Sequence, residues 1–223
     1  MWSNHFNFTD ALWYCLGHVR LLVRLLGPVL VLTLAACGGG GQIQNLPLMW
    51  RAADDSPRPS EPVARAFSAA PFAFGMRDVR PDITAVGTYQ DSGFVVRTTD
   101  NVAAYCSRKM GEMLAHAGAR MTEPPTAVLH TELLDYNVVE GGTFAGLVRI
   151  RASLRRGDVE GWTKTYVGKS KRWGRTHNPE NFNEALSNAL ADVTQQLVRD
   201  DEFAHALTEP PAEAPPAPEA PGA

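Results

Sequence analysis

Cysteine is scarce in this chain: 3 among 223 residues, at positions 15, 37 and 106. Three cysteines allow at most one disulfide and no Cys/His cluster has zinc-ligand spacing, so a zinc-stapled or disulfide-dense framework is excluded and the fold must rest on its core. Long apolar runs are missing too. The longest stretch, residues 25–36, has about 12 residues, where a membrane-crossing helix needs about 20. An excess of one charge is also missing, since 21 Lys and Arg face 24 Asp and Glu for a net charge of −3. That balance speaks against a general affinity for nucleic acid. No G-x-S-x-G, H-E-x-x-H, phosphate-binding loop or dinucleotide fingerprint occurs, and no internal repeat. His116, His130, His177 and His205 have no metal-like neighbour at short spacing. The sequence therefore offers no catalytic constellation, no metal site and no cofactor site. A composition of 44% apolar and 20% charged residues still excludes a polytopic membrane protein and a wholly disordered chain.

What is present begins with an export-like front. Arg20 and Arg24 precede the apolar run, and Ala35 and Ala36 close it, which is the order of a secretory leader. Leu34-Ala35-Ala36-Cys37 resembles the lipobox of bacterial lipoproteins. The resemblance implies thioether lipidation of Cys37, cleavage before it, and acylation (palmitate or a similar chain) of the new amino group. Several acyl chains anchor a protein stably where one does not. Cys15 follows Leu12-Trp13-Tyr14, whose rings occupy positions that require small residues. Gly38 stands where an aspartate would favour the inner membrane in enterobacterial lipoproteins, so the expected address is the periplasmic face of the outer membrane. A membrane, reached through Cys37, is thus the first expected partner, and the address disfavours nucleic acid.

The chain divides by composition. Residues 1–36 read as the signal peptide and 37–70 as a lipidated N-terminus with a flexible tether. The tether holds four glycines at 38–41, then Pro57, Pro59 and Pro62, and would span roughly 30 Å end to end. The apolar patch Leu46-Pro47-Leu48-Met49-Trp50 interrupts it, read as a piece packing on the domain or touching the bilayer interface, with a peptide-like docking motif as the alternative. Residues 71–208 form the domain, and the Pro- and Ala-rich tail, 209–223, is expected to be extended and disordered.

Within the domain, short strands are expected at 72–76, 86–89 and 94–97. A helix capped by Asp100 or Asn101 follows, with Val102, Cys106, Met110, Met113, Leu114 and Ala117 on one stripe. Cys106 in that stripe reads as a buried structural thiol. Strands are expected at 126–139, 143–154 and 162–173. Asn178 and Pro179 then open a helix with Phe182, Ala185, Leu186, Ala189, Leu190, Val193 and Leu197 on one face. The predicted class is α+β: one mainly antiparallel or mixed sheet with two helices packed on one face, the other face open.

The early strand with Asp78-Val79-Arg80-Pro81-Asp82, the strand Phe144-Ala145-Gly146-Leu147-Val148, and the opening Asn181-Phe182-Asn183-Glu184-Ala185-Leu186 resemble the YajG-type envelope lipoproteins, as does Asp200-Asp201-Glu202-Phe203. The likeness spans about residues 71–207. It implies an envelope lipoprotein with an α/β domain and no established activity, akin to accessory lipoproteins of lipid or solute transporters.

The strongest remaining signal is a basic stretch over 143–178. Its expected binding face comprises Arg149, Arg151, Arg155, Lys164, Lys169, Lys171 and Arg172, with Trp162, Tyr166 and Trp173 interleaved. Such a face suits a partner protein or an anionic lipid or glycan. The plainer reading is a solvated sheet surface whose cations discourage edge aggregation. The expectation is a non-enzymatic envelope lipoprotein with a binding or auxiliary role. The alternatives are an enzyme on envelope glycans using Asp78 or Asp82, and a structural spacer of the envelope. Asp78, Arg80 and Asp82 otherwise read as a solvated turn.

Overall fold

The computed structural model describes residues 42–121, 124–157, 159–174 and 178–209, apart from the Glu160 side chain. The leader, Cys37, Asp158, Arg175, His177 and the tail from 210 lie outside the described residues. In chain order the elements are α1 (Glu61–Ala69), β1 (Phe72–Asp78), β2 (Ala85–Tyr89), β3 (Val95–Arg97) and α2 (Val102–His116). They continue with β4 (Ala127–Glu140), β5 (Thr143–Arg156), β6 (Val159–Trp173), α3 (Pro179–Leu197) and α4 (Asp201–Thr208).

The six described strands form one mixed sheet. The sheet order is β3-β2-β4-β5-β6, within which β4, β5 and β6 are an antiparallel meander. β1 and β2 both lie parallel to β4 on its other edge. β1 pairs with residues 127–133, and β2 with residues 138–140. The strands alternate as expected from period-two patterning: Phe144, Val148, Ile150, Ala152 and Leu154 are buried, while Arg149 and Arg151 point to solvent.

The α+β class and the mixed sheet agree with the sequence reading, but four helices are described rather than two. α3 lies closest to the sheet, and glycines make that approach possible. A Cβ at Gly168 would stand 2.0 Å from the Ala189 carbonyl oxygen, and one at Gly146 would stand 2.5 Å from that of Ala185. The Ser170 hydroxyl beside them donates to the Ala185 carbonyl at 2.6 Å. α2 covers β1 on the same face, with Phe74 against Gly111. The expected helical stripes are buried throughout, Cys106 included.

The helix α1 was not expected, because it falls inside the stretch read as a tether. Ser60 caps it, Pro62 sits in its first turn, and Val63, Ala66 and Phe67 form its buried face. Phe67 meets Phe72 at 5.7 Å and Phe203 at 6.1 Å, and Trp162 meets Phe203 at 5.4 Å. This aromatic cluster fastens α1 and α4 to the ends of β1 and β6.

The tether reading for residues 37–70 is corrected from Gln42 onward. Residues 42–60 run extended between α2 and α3 as a strap. The Leu46 amide donates to the Arg97 carbonyl at 2.7 Å, and the Leu46 side chain is fully buried. Side chains of α3 then hold the strap's backbone turn by turn. Asn183 accepts from the Met49 amide (2.9 Å) and donates to the Pro47 carbonyl (2.9 Å). Ser187 accepts from Arg51 (3.0 Å) and Asn188 from Ala53 (2.9 Å). Gln195 both accepts from the Arg58 amide and donates to its carbonyl. An extended chain has unpaired backbone groups, and here helix amides and hydroxyls satisfy them. The compact unit therefore begins at Gln42, not at residue 71. The patch Leu46-Pro47-Leu48-Met49-Trp50 packs on the domain itself, with Trp50 beneath Lys109 at 5.8 Å.

Candidate functional site

The helices occupy one face of the sheet, so the opposite face is open. An open groove of about 660 Å³ crosses β1, β4, β5 and β6 there, and its lining includes Arg77, His130, Glu132, Arg151, Ser153 and Arg155. Gly75 forms part of its floor, with open space where a side chain would project.

A β-bulge shapes the charge of this face. Leu134 interrupts the β4–β5 register, so that Glu132 lies opposite Arg151 and Asp135 opposite Arg149. Two carboxylates of different parity thereby share one face. Arg149 pairs with Asp135 at 2.6 Å, and the Arg151 Nε donates to Glu132 at 2.8 Å. Arg77 is the register partner of Glu132 on its other side, so one carboxylate sits between two guanidinium-bearing strands.

The seven residues expected as one binding face do not share a face. Arg149, Arg151, Arg155, Lys169 and Lys171 stand on the open side of β5 and β6, with Lys169 opposite Leu147 and Lys171 opposite Ala145. Lys164 and Arg172 are on the helix side, a correction that follows from strand alternation. Lys164 is opposite buried Ala152, and Arg172 is opposite buried Phe144. Lys164 lies 2.9 Å from both Asp200 and Glu202, whose hydrogen bonds raise its pKa. The Arg172 Nε donates to Asn181 at 2.9 Å, and its guanidinium pairs with Glu184. Both residues tie β6 to the following helices. Their even numbers, against the odd numbers of Lys169 and Lys171, were the available signal.

Of the interleaved aromatics, Trp162 and Tyr166 also face the helices, and Trp173 faces outward with 79% of its surface exposed. Arg77, which helps line the groove, was not singled out from the sequence.

The acidic turn is not solvated as expected. Arg80 is buried, and all five of its N–H groups are used. They reach both oxygens of Asp78 (2.9 and 2.7 Å) and the carbonyls of Ile83, Ala85 and Tyr136. Asp82 instead accepts from Thr84 and pairs with Arg97 at 2.5 Å. The hydrogen bonds from Thr84 and Arg97 hold its carboxyl far below the usual range. Both carboxylates brace the β1–β2 connection, and neither lines the groove. Cys106 is fully buried, and burial pushes its thiol well above its ordinary pKa, which leaves the nucleophilic thiolate disfavoured.

Among the described residues, no three His, Cys, Asp or Glu side chains gather as a metal-ligand set, and no helix is long and apolar enough to cross a membrane. The described part is thus an α+β domain with a half-covered mixed sheet and a shallow basic groove.

No family model matches the chain, and no curated protein matches its sequence. Solved structures offer distant likenesses. A Xanthomonas campestris protein of the family DUF330 is 12% identical, with a TM-score of 0.49 over 67% of this chain and 92% of its own. A lipoprotein from Neisseria meningitidis is 14% identical, with a TM-score of 0.26 over 46% of this chain and 83% of its own. PelC from Paraburkholderia phytofirmans is 11% identical, with a TM-score of 0.32 over 61% of this chain and 91% of its own. Likeness this remote transfers no activity or partner.

Proposed function

We propose that the chain is a lipid-anchored envelope protein that works without catalysis, by binding an anionic partner on the open face of its sheet. The observation that carries this reading is the groove: Arg77, Arg151 and Arg155 converge on one solvent-facing depression with Glu132 as its only carboxylate among the lining residues. Hydroxyls of Ser153 and Thr163 line the same depression. Guanidinium groups beside hydroxyls suit carboxylates or phosphates, which arginine engages through paired N–H bonds. The anchor in this proposal is Cys37, with the periplasmic face of the outer membrane as the address.

Site-specific photocrosslinking in intact cells tests the face. A photoreactive residue at Ser153 is expected to capture a partner, and one at exposed Arg108 on α2 is not. Equal capture from both positions overturns the reading. Mass spectrometry of the native product tests the anchor. The expected first residue is Cys37 carrying acyl mass, and an unmodified N-terminus removes the anchor.

A further inference from the structure

The compact unit begins at Gln42, only five residues after Cys37. Five extended residues reach at most about 17 Å. If Cys37 carries the lipid, as proposed above, the part of the domain beside Gln42 is held next to the bilayer. The Gln42 amide donates to the Ser92 hydroxyl in the β2–β3 connection. Tyr89, the end of β2, is the register partner of Glu140, the end of β4. The β4–β5 turn follows at once, and Thr143 at the start of β5 faces Trp173 at the end of β6. All these points therefore lie at one end of the sheet. Three strand spacings separate β2 from β6, a lateral distance of about 14 Å.

At that end the open face changes character. Trp173 is the most exposed of the large apolar side chains described, at 79%. The Lys171 ammonium stands 5.9 Å from the centre of its ring. Lys171 is in register with Ala145, and Ala145 with Val139, itself 39% exposed. Lys169 and Leu147 form the next rung. An exposed indole flanked by ammonium groups and small apolar side chains matches a membrane interface, where indole favours the headgroup level and lysines meet anionic lipid. We infer that this end, through Trp173 with Lys171, Lys169 and Val139, rests on the anionic headgroup layer of the bilayer that holds the anchor. The inference rests on lipidation of Cys37.

The test uses the mature lipidated protein in vesicles of phosphatidylethanolamine and phosphatidylglycerol whose acyl chains are brominated near the headgroup. Trp162, packed against Phe203, and Trp50, under Lys109, lie on the helix side and serve as internal controls. Quenching of tryptophan emission is expected for the native chain. It should be lost in Trp173→Ser and weakened in Lys171→Glu, with all three proteins floating with the vesicles. Floating protein whose quenching is absent, or unchanged in Trp173→Ser, overturns this inference and leaves the anchor standing. Protein that fails to float removes the anchor, and the inference with it.

Discussion

At the scale of single residues, two side chains carry most of the local argument. Arg80 is buried with Asp78, and each of its donors is met. Replacing it by alanine strips the guanidinium from the Asp78 carboxylate, which keeps only the residue-80 backbone amide, and from three carbonyls. The expected loss is about 3–5 kcal/mol, read by urea unfolding. Gly168 is the second. Its missing Cβ is the space that α3 occupies, so Gly168→Ala must push the helix from its seat and should cost about 1–3 kcal/mol. Gly75→Ala is the contrasting case, because nothing lies within 4 Å of its added carbon. That variant is expected to gain about 0.4–1 kcal/mol through the unfolded chain. Equal effects at the two glycines in the same unfolding assay would contradict the packing argument.

At the scale of elements, the strap and α4 are the parts whose docking can be tested separately. Asn183→Ala removes the acceptor for Met49 and the donor to Pro47. Hydrogen exchange should then quicken at the Met49 and Arg51 amides while the amides of β4 and β5 stay protected. A destabilisation of about 1–3 kcal/mol is expected. α4 is held differently, through Asp200. Burial alone would raise its carboxyl, but hydrogen bonds from Tyr166 and Lys164 outweigh that and hold it below its ordinary value of 3.8. A carboxyl depressed in the folded state stabilises fully above its unfolded value, and that contribution is lost as pH falls through the lower folded value. α4 docking should therefore be constant from neutral pH to about pH 5 and weaken below about pH 4. Thermal unfolding between pH 6 and pH 2 checks this, with Asp200→Asn expected to lose the Asp200 part of the acid dependence.

At the scale of the whole molecule, the sheet divides the described residues into a packed side and an open side. The backbone of edge strand β6 is partly covered by α3, where Asp192 accepts from the Lys169 amide and Gln196 donates to the Val167 carbonyl. That cover discourages strand addition at this edge, so the proposed partner surface is the open face rather than the β6 edge. Arg155→Glu with Arg77→Glu, both in the groove lining, should abolish capture at Ser153, whereas Lys164→Gln should leave it intact and lower the unfolding midpoint. Loss of capture in Lys164→Gln with unchanged stability would place the binding surface on the helix side instead.

The sequence by itself determined the elements that own their signals. Period-two alternation fixed β5 and its buried face, and the spacing of Phe182, Ala185, Leu186, Ala189, Leu190, Val193 and Leu197 fixed the buried stripe of α3. Asn178 and Pro179 marked where α3 starts. α1 was also legible, since Ser60 and Pro62 open it before Val63, Ala66 and Phe67, but it was hidden by the prolines around it. Only the tertiary structure decided the rest. The strap is a strap because α3 presents Asn183, Ser187, Asn188 and Gln195 to its backbone, and no property of residues 42–60 alone shows that. The bulge at Leu134 set which carboxylates meet Arg149 and Arg151. Local patterns report which face of an element is apolar. Which groups finally meet depends on register and on partners distant along the chain, and those exist only once the chain has folded.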